Sequence, residues 1–147
     1  MLERAKTVKV AVVQAAPIIF EREATVEKTC HLIQEAAGQG AELLLFPEAF
    51  IPAYPRGLSF GMVVGSRTDQ GRQLWQRYWE GAVEIPSPTT QALSETVRQA
   101  GVYLAIGVIE RDAHYSGGTL YCTIVYFDPQ GQVIGLHRKL KPTGAER

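Results

Sequence analysis

Two short apolar runs on either side of a helical stretch constrain the fold most. Residues 8–14, VKVAVVQ, are β-branched and apolar and read as a buried strand. In residues 21–37, Val26, Cys30, Ile33 and Ala37 recur at i, i+4, i+7 and i+11, which is one face of a helix, and Gly38 and Gly40 end it. Glu42-Leu43-Leu44-Leu45-Phe46 supplies the second run, closed by Pro47. Strand, helix, strand within about forty residues is a βαβ unit, so the two strands are expected to be parallel and buried on both faces.

The rest of the chain changes character. Residues 47–66 are rich in proline and glycine and read as a long loop of the functional kind. Residues 69–82 are expected to be helical, with Trp75, Trp79 and Ala82 on one side. Ser87-Pro88 is a helix start, with Ser87 as cap and Pro88 at the first helical position; Leu93, Val97 and Ala100 supply the buried stripe and Gly101 ends it. Val102–Ile109, Thr119–Phe127 and Val133–Arg138 then read as three strands joined by turns at Ser116-Gly117-Gly118 and Asp128-Pro129-Gln130-Gly131, an antiparallel meander. The predicted sheet is therefore mixed, in an α/β domain.

The 147 residues match the size of one domain or a piece of a larger one. Hydrophobic residues make up 46%, which excludes intrinsic disorder. Fifteen basic and fifteen acidic side chains cancel, so no global field draws in nucleic acid or an anionic membrane. No run reaches the length of a membrane span. Two cysteines are too few for a disulfide scaffold, and a reducing cytoplasm is the expected setting. The last residues, LHRKLKPTGAER, bring no closing helix or strand, so the domain is expected to continue past Arg147.

Four residues stand out as carriers of chemistry. Glu48 lies just past the carboxyl end of a parallel strand, where ligands bind in open α/β sheets. Flanked by Phe46, Pro47, Ala49 and Phe50, its carboxylate is expected to be partly desolvated, with raised proton affinity suited to a general base. A surface glutamate opening a loop fits its position equally well. Lys139 follows the strand 133–138; by alternation it faces with His137, away from Arg138 and Leu140. Such a lysine can stabilise developing negative charge, although by itself it reads more simply as a solvated strand end. Tyr54 can present a hydroxyl to a pocket or simply pack in the loop. Glu146, taken alone, is a surface acid.

His31, His114 and His137 match no metal-ligand spacing, so neither metal nor cofactor is assigned. Cys30 sits in a helical stripe and Cys122 in mid-strand without an adjacent base, so both are expected to be core residues. The chain contains no GxGxxG, GxxxxGK[ST] or GxSxG pattern.

VKVAVVQAAP, ELLLFPEAFIPAYPRG, GVYLAIGVIERD and GTLYCTIVYFDPQGQVIGLHRKLKPTGAER together resemble the N-terminal half of the nitrilase branch of the carbon–nitrogen hydrolase superfamily. The resemblance runs over essentially all of residues 1–147. It implies half of an α-β-β-α sandwich and a Glu–Lys–Cys mechanism that converts an organic nitrile to a carboxylic acid and ammonia. Glu48 would be the general base, Lys139 would stabilise the tetrahedral intermediate, Glu146 would help position the site and Tyr54 would line it. Arg138 and Lys141 are expected to matter much less than Lys139. The family's nucleophile stands in a Cys-Trp-Glu context after the last of these motifs. Neither Cys30 nor Cys122 takes that place, so the 147 residues alone are expected to be inactive and the full-length protein to form homo-oligomers. An amidase or carbamoylase of the same superfamily, or a non-enzymatic truncated subunit, are the alternatives.

Overall fold

A computed structural model describes residues 7–61, 67–114 and 118–141. The element order is β1 (Val10–Val12), α1 (Arg22–Gly38), β2 (Leu43–Leu45), α2 (Asp69–Gly81), α3 (Pro88–Ala100), β3 (Tyr103–Arg111), β4 (Leu120–Phe127) and β5 (Val133–Arg138). The strands form one sheet in the order β1-β2-β3-β4-β5. β1, β2 and β3 are parallel, and β3, β4 and β5 antiparallel. The expected mixed α/β sheet and its meander are both present.

Local chemistry accounts for the element ends. Ser87 and Thr90 form a reciprocal capping box with Pro88 in the first turn of α3, and Gly101 closes that helix with φ +67°. At the β4–β5 turn, Asp128 Oδ1 accepts from the N–H groups of Gln130 and Gln132, and its carbonyl from that of Gly131. Ser116 and Gly117 of the other predicted turn lie outside the described residues.

Strand alternation divides the side chains between two faces. Leu44, Leu104, Ile106, Val108, Val125 and Phe127 point toward α1 and α3 and join Ile33, Leu93 and Val97 in the main core. A smaller cluster on the other face packs Tyr78 of α2 against Ala49, Phe60, Ile109, Leu120 and Cys122.

Burial on both faces of β1 and β2 does not hold. Val10, Val12, Leu43, Leu45 and Tyr103 are exposed, Val12 by 73%. The registers Val10↔Leu43↔Tyr103 and Val12↔Leu45↔Ala105↔Tyr126 align them in rows across the sheet. α1 and α3 cover one face only, and α2 reaches the other only around Ile109, Leu120 and Cys122. Two helical stripes are also rotated from expectation. In α1 the fully buried positions are Thr25, Thr29 and Ile33, while Val26, Cys30 and Ala37 pack at its margin. In α2 the buried aromatic is Tyr78, with Trp75 and Trp79 half-buried around it. The opening of the predicted loop is core as well, because Ala49, Phe50, Ile51 and Ala53 are buried.

Candidate active site

The segment after β2 does not leave the sheet. Phe46 N–H donates to Ala105 O (2.9 Å) and Phe50 N–H to Gly107 O (2.8 Å), and Ile51 then bridges in parallel to Val108. Five residues, 46–50, are thus set against three, 105–107, so the surplus backbone arches away from the sheet. The Phe46 and Phe50 rings meet edge to face at its two feet, 5.2 Å between centroids, within the helix-side core. Glu48 sits at the top, on the opposite face, and the following Ala49 takes a left-handed φ of +50°. The arch lies directly on Gly107: a Cβ there would stand 2.6 Å from Glu48 Cα and from Ala49 N. A glycine inside an apolar strand often marks such a close backbone approach.

The meander brings the partners. Cys122 on β4 is opposite Ile109, and the ladder to β5 continues with Lys139 N–H donating to Cys122 O at 2.8 Å. Cys122 and Lys139 therefore share the face on which Glu48 stands. Lys139 Nζ donates to Glu48 Oε1 at 2.7 Å, and the Cys122 thiol donates to the same oxygen, Sγ to Oε1 3.2 Å. Among the described residues Oε2 accepts no hydrogen bond.

Two expectations change here. The Lys139 ammonium, and after it the Cys122 thiol, hold the Glu48 carboxyl below the usual carboxylate range, against a weaker opposing effect of burial. Raised proton affinity follows from the flanking Phe46, Pro47, Ala49 and Phe50 only if the two rings wall the carboxylate. Both rings point through the sheet instead, leaving the Glu48 side chain 49% exposed. Cys122 is buried as expected, but a carboxylate does stand beside it. The glycine inside Val102–Ile109 is a sequence signal for the arch, but the β3–β4 register that brings Cys122 to Glu48 is not written in consecutive residues.

Tyr54 is exposed and, among the described residues, makes no side-chain bond to Glu48 or Lys139. Glu146 lies outside the described residues. Arg138 points to the helix side, as alternation predicts, but it is not a peripheral charge. It makes a two-pronged contact with Glu110, a buried carboxylate. Among the described residues no group of three or more His, Cys, Asp or Glu side chains could hold a metal, and no helix is long and apolar enough to cross a membrane.

The arrangement joins a fixed carboxylate, an ammonium and a thiol beyond the carboxyl end of a parallel strand. It can accept a proton at Glu48 and offer positive charge at Lys139. Known proteins are similar to this chain in sequence and in fold. The carbon-nitrogen hydrolase family model matches residues 9–147. The chain is 54% identical over 139 residues to an aliphatic nitrilase of Sinorhizobium fredii (strain HH103), covering 95% of this chain and 44% of that protein. It is 45% identical over 141 residues to nitrilase 1 of Arabidopsis thaliana, covering 96% and 40%. An amidase from Nesterenkonia sp. has the same fold, with a TM-score of 0.68 at 19% identity over 97% of this chain and 46% of that one. The chain thus spans less than half the length of the relatives it matches. On the match over residues 9–147 and the identity to these nitrilases, the chain belongs to the carbon-nitrogen hydrolase family.

Proposed function

We propose that residues 1–147 are the N-terminal part of a single nitrilase domain whose whole protein hydrolyses organic nitriles to carboxylic acids and ammonia. The observation that carries this reading is the 2.7 Å contact between Lys139 and Glu48. The high identity to nitrilases supports the nitrile as substrate class. In this reading a cysteine in a Cys-Trp-Glu context, which residues 1–147 do not contain, attacks the nitrile carbon to give a thioimidate. Glu48 takes the thiol proton. Addition of one water and loss of ammonia give a thioester, and a second water releases the acid and restores the thiol. Lys139 offsets the negative charge that develops on the tetrahedral intermediate. Glu146 supports that pair and Tyr54 lines the entrance. Further chain over the open sheet face would exclude water from Glu48 and strengthen both interactions. Residues 1–147 alone are inactive toward nitriles, and the complete enzyme assembles into homo-oligomers in the cytoplasm.

The test is ammonia release from a nitrile panel. Residues 1–147 should give only background. The same residues joined to the remaining part of the Sinorhizobium fredii nitrilase should be active. In that protein Glu48→Gln and Lys139→Ala should each lower turnover by at least about a hundredfold, while Lys141→Ala leaves it nearly unchanged. Turnover of amides in preference to nitriles would assign the chain to another branch of the superfamily.

A further inference from the structure

The reverse side of the sheet from Glu48 carries a polar cluster, and the buried Asp112 lies near enough to act on the charge of its Arg138. Glu110 on β3 is buried, only 4% exposed. Its carboxylate accepts three hydrogen bonds: from Thr123 Oγ1 at 2.6 Å, from Arg138 Nε at 3.0 Å and from Arg138 Nη2 at 2.7 Å. The Arg138 guanidinium also lies over the Tyr121 ring, 3.9 Å from its centroid. Three adjacent strands are therefore tied at one level: β3 through Glu110, β4 through Tyr121 and Thr123, and β5 through Arg138. A planar guanidinium gripping both oxygens fixes direction as well as distance.

That level is the one that matters on the other face. Arg138 pairs with Thr123, and the next residue of β5, Lys139, hydrogen-bonds to the carbonyl of Cys122. Among the described residues β5 is at the edge of the sheet, and its paired register ends at Arg138, one residue before the Lys139 backbone bond. Without a side-chain tie, fraying of this end would carry Lys139 away from Glu48.

We propose that Glu110 and Arg138 are positioning residues that pin the end of β5 and so hold Lys139 against Glu48. This rests on the reading of Glu48 and Lys139 as working groups, but its test needs no turnover. The Glu48 side chain faces Cys122 and Lys139 and is followed by its 13C carboxyl signal through an acid titration of residues 1–147. Lys139→Met serves as reference and should move the Glu48 titration upward, because the ammonium that depresses it is gone. Glu110→Gln and Arg138→Met should each reproduce most of that upward shift.

The two variants change the cluster charge in opposite senses, so through-space electrostatics alone would move Glu48 in opposite directions. A role confined to overall stability would lower the unfolding midpoint and leave the titration of the folded protein unmoved. Arg138→Lys, which keeps the charge but loses the two-pronged grip, should give an intermediate shift. If Glu110→Gln or Arg138→Met does not fold, Thr123→Val, which removes one bond to Glu110, should still move Glu48 part of the way upward. A Glu48 titration that stays at the unsubstituted value in the folded variants, while Lys139→Met shifts it, would overturn the proposal. Failure of Lys139→Met itself to shift it would instead strike at the Glu48–Lys139 pairing. Absence of ammonia release from the joined enzyme would strike only at the nitrilase reading.

Discussion

Lys139 Nζ stands 2.7 Å from Glu48 Oε1 across 91 residues of chain. The contact depends on two independent pieces of backbone, the arch over Gly107 and the end of β5. Its stability consequence has a definite sign. The folded Glu48 carboxyl titrates below its unfolded value of about 4.3, so pairing stabilises the fold fully above that pH and not below the folded value. The gap in urea midpoint between the unsubstituted chain and Lys139→Met should be constant near neutrality and close as pH falls below about 4. Both partners are partly exposed, so the gap should also shrink with added salt. A gap that persists at the acid end would show that the lysine stabilises by packing rather than by charge.

Gly107 should tolerate no side chain. An added methyl meets backbone atoms of Glu48 and Ala49 at 2.6 Å, and backbone cannot rotate out of the way. Gly107→Ala should cost at least about 1–3 kcal/mol, the range for overpacking. Gly38, at the end of α1, has nothing within 4 Å of an added Cβ. Gly38→Ala should be neutral or stabilise by up to about 1 kcal/mol. Denaturant midpoints of the two variants moving together would contradict the arch geometry.

Leu44 and Leu45 are neighbours on opposite faces of β2. Leu44 is fully buried, whereas Leu45 is 45% exposed. Leu44→Ala should cost about 2–5 kcal/mol. Leu45→Ala should stay near the surface range of about 0.5 kcal/mol. Equal losses, measured by urea unfolding, would mean that the open face is covered in residues 1–147.

The capping box of α3 offers a local test. Ser87→Ala removes the side-chain acceptor for Thr90 N–H and should cost about 1 kcal/mol. Ser87→Gly should cost only a few tenths of a kcal/mol. Thermal unfolding of both variants would separate the cap from packing around Pro88.

Much of this was legible in the sequence because it is local. Strand and helix periods, the Ser87 cap, Gly101 and the Asp128 turn are written in consecutive residues, and they yield the mixed sheet. The relation of Arg138 and Lys139 to opposite faces follows from alternation alone. What could not be read depends on placement across the sheet. The path of Phe46 and Phe50 through the arch decides the solvent contact of Glu48, and nothing in FPEAF announces which way the rings turn. The β3–β4 register decides that Cys122 meets Glu48. Helical spacing gave α1 a stripe, but the buried positions include Thr25 and Thr29, one position round from Val26 and Cys30, where the Thr25 hydroxyl exchanges hydrogen bonds with the Ile18 backbone and the Thr29 hydroxyl donates to the Thr25 carbonyl.

The mixed sheet also sets an order of events during folding. Lys139 rides on a meander whose strands are neighbours in sequence, so that part closes small loops at modest entropic cost. Glu48 reaches it only after β2 has paired with β3 across two intervening helices, a far larger loop. The carboxylate and the ammonium consequently meet when the slow, non-local half of the sheet docks onto the fast, local half. A distance probe placed on that pair would time the completion of the sheet rather than its nucleation.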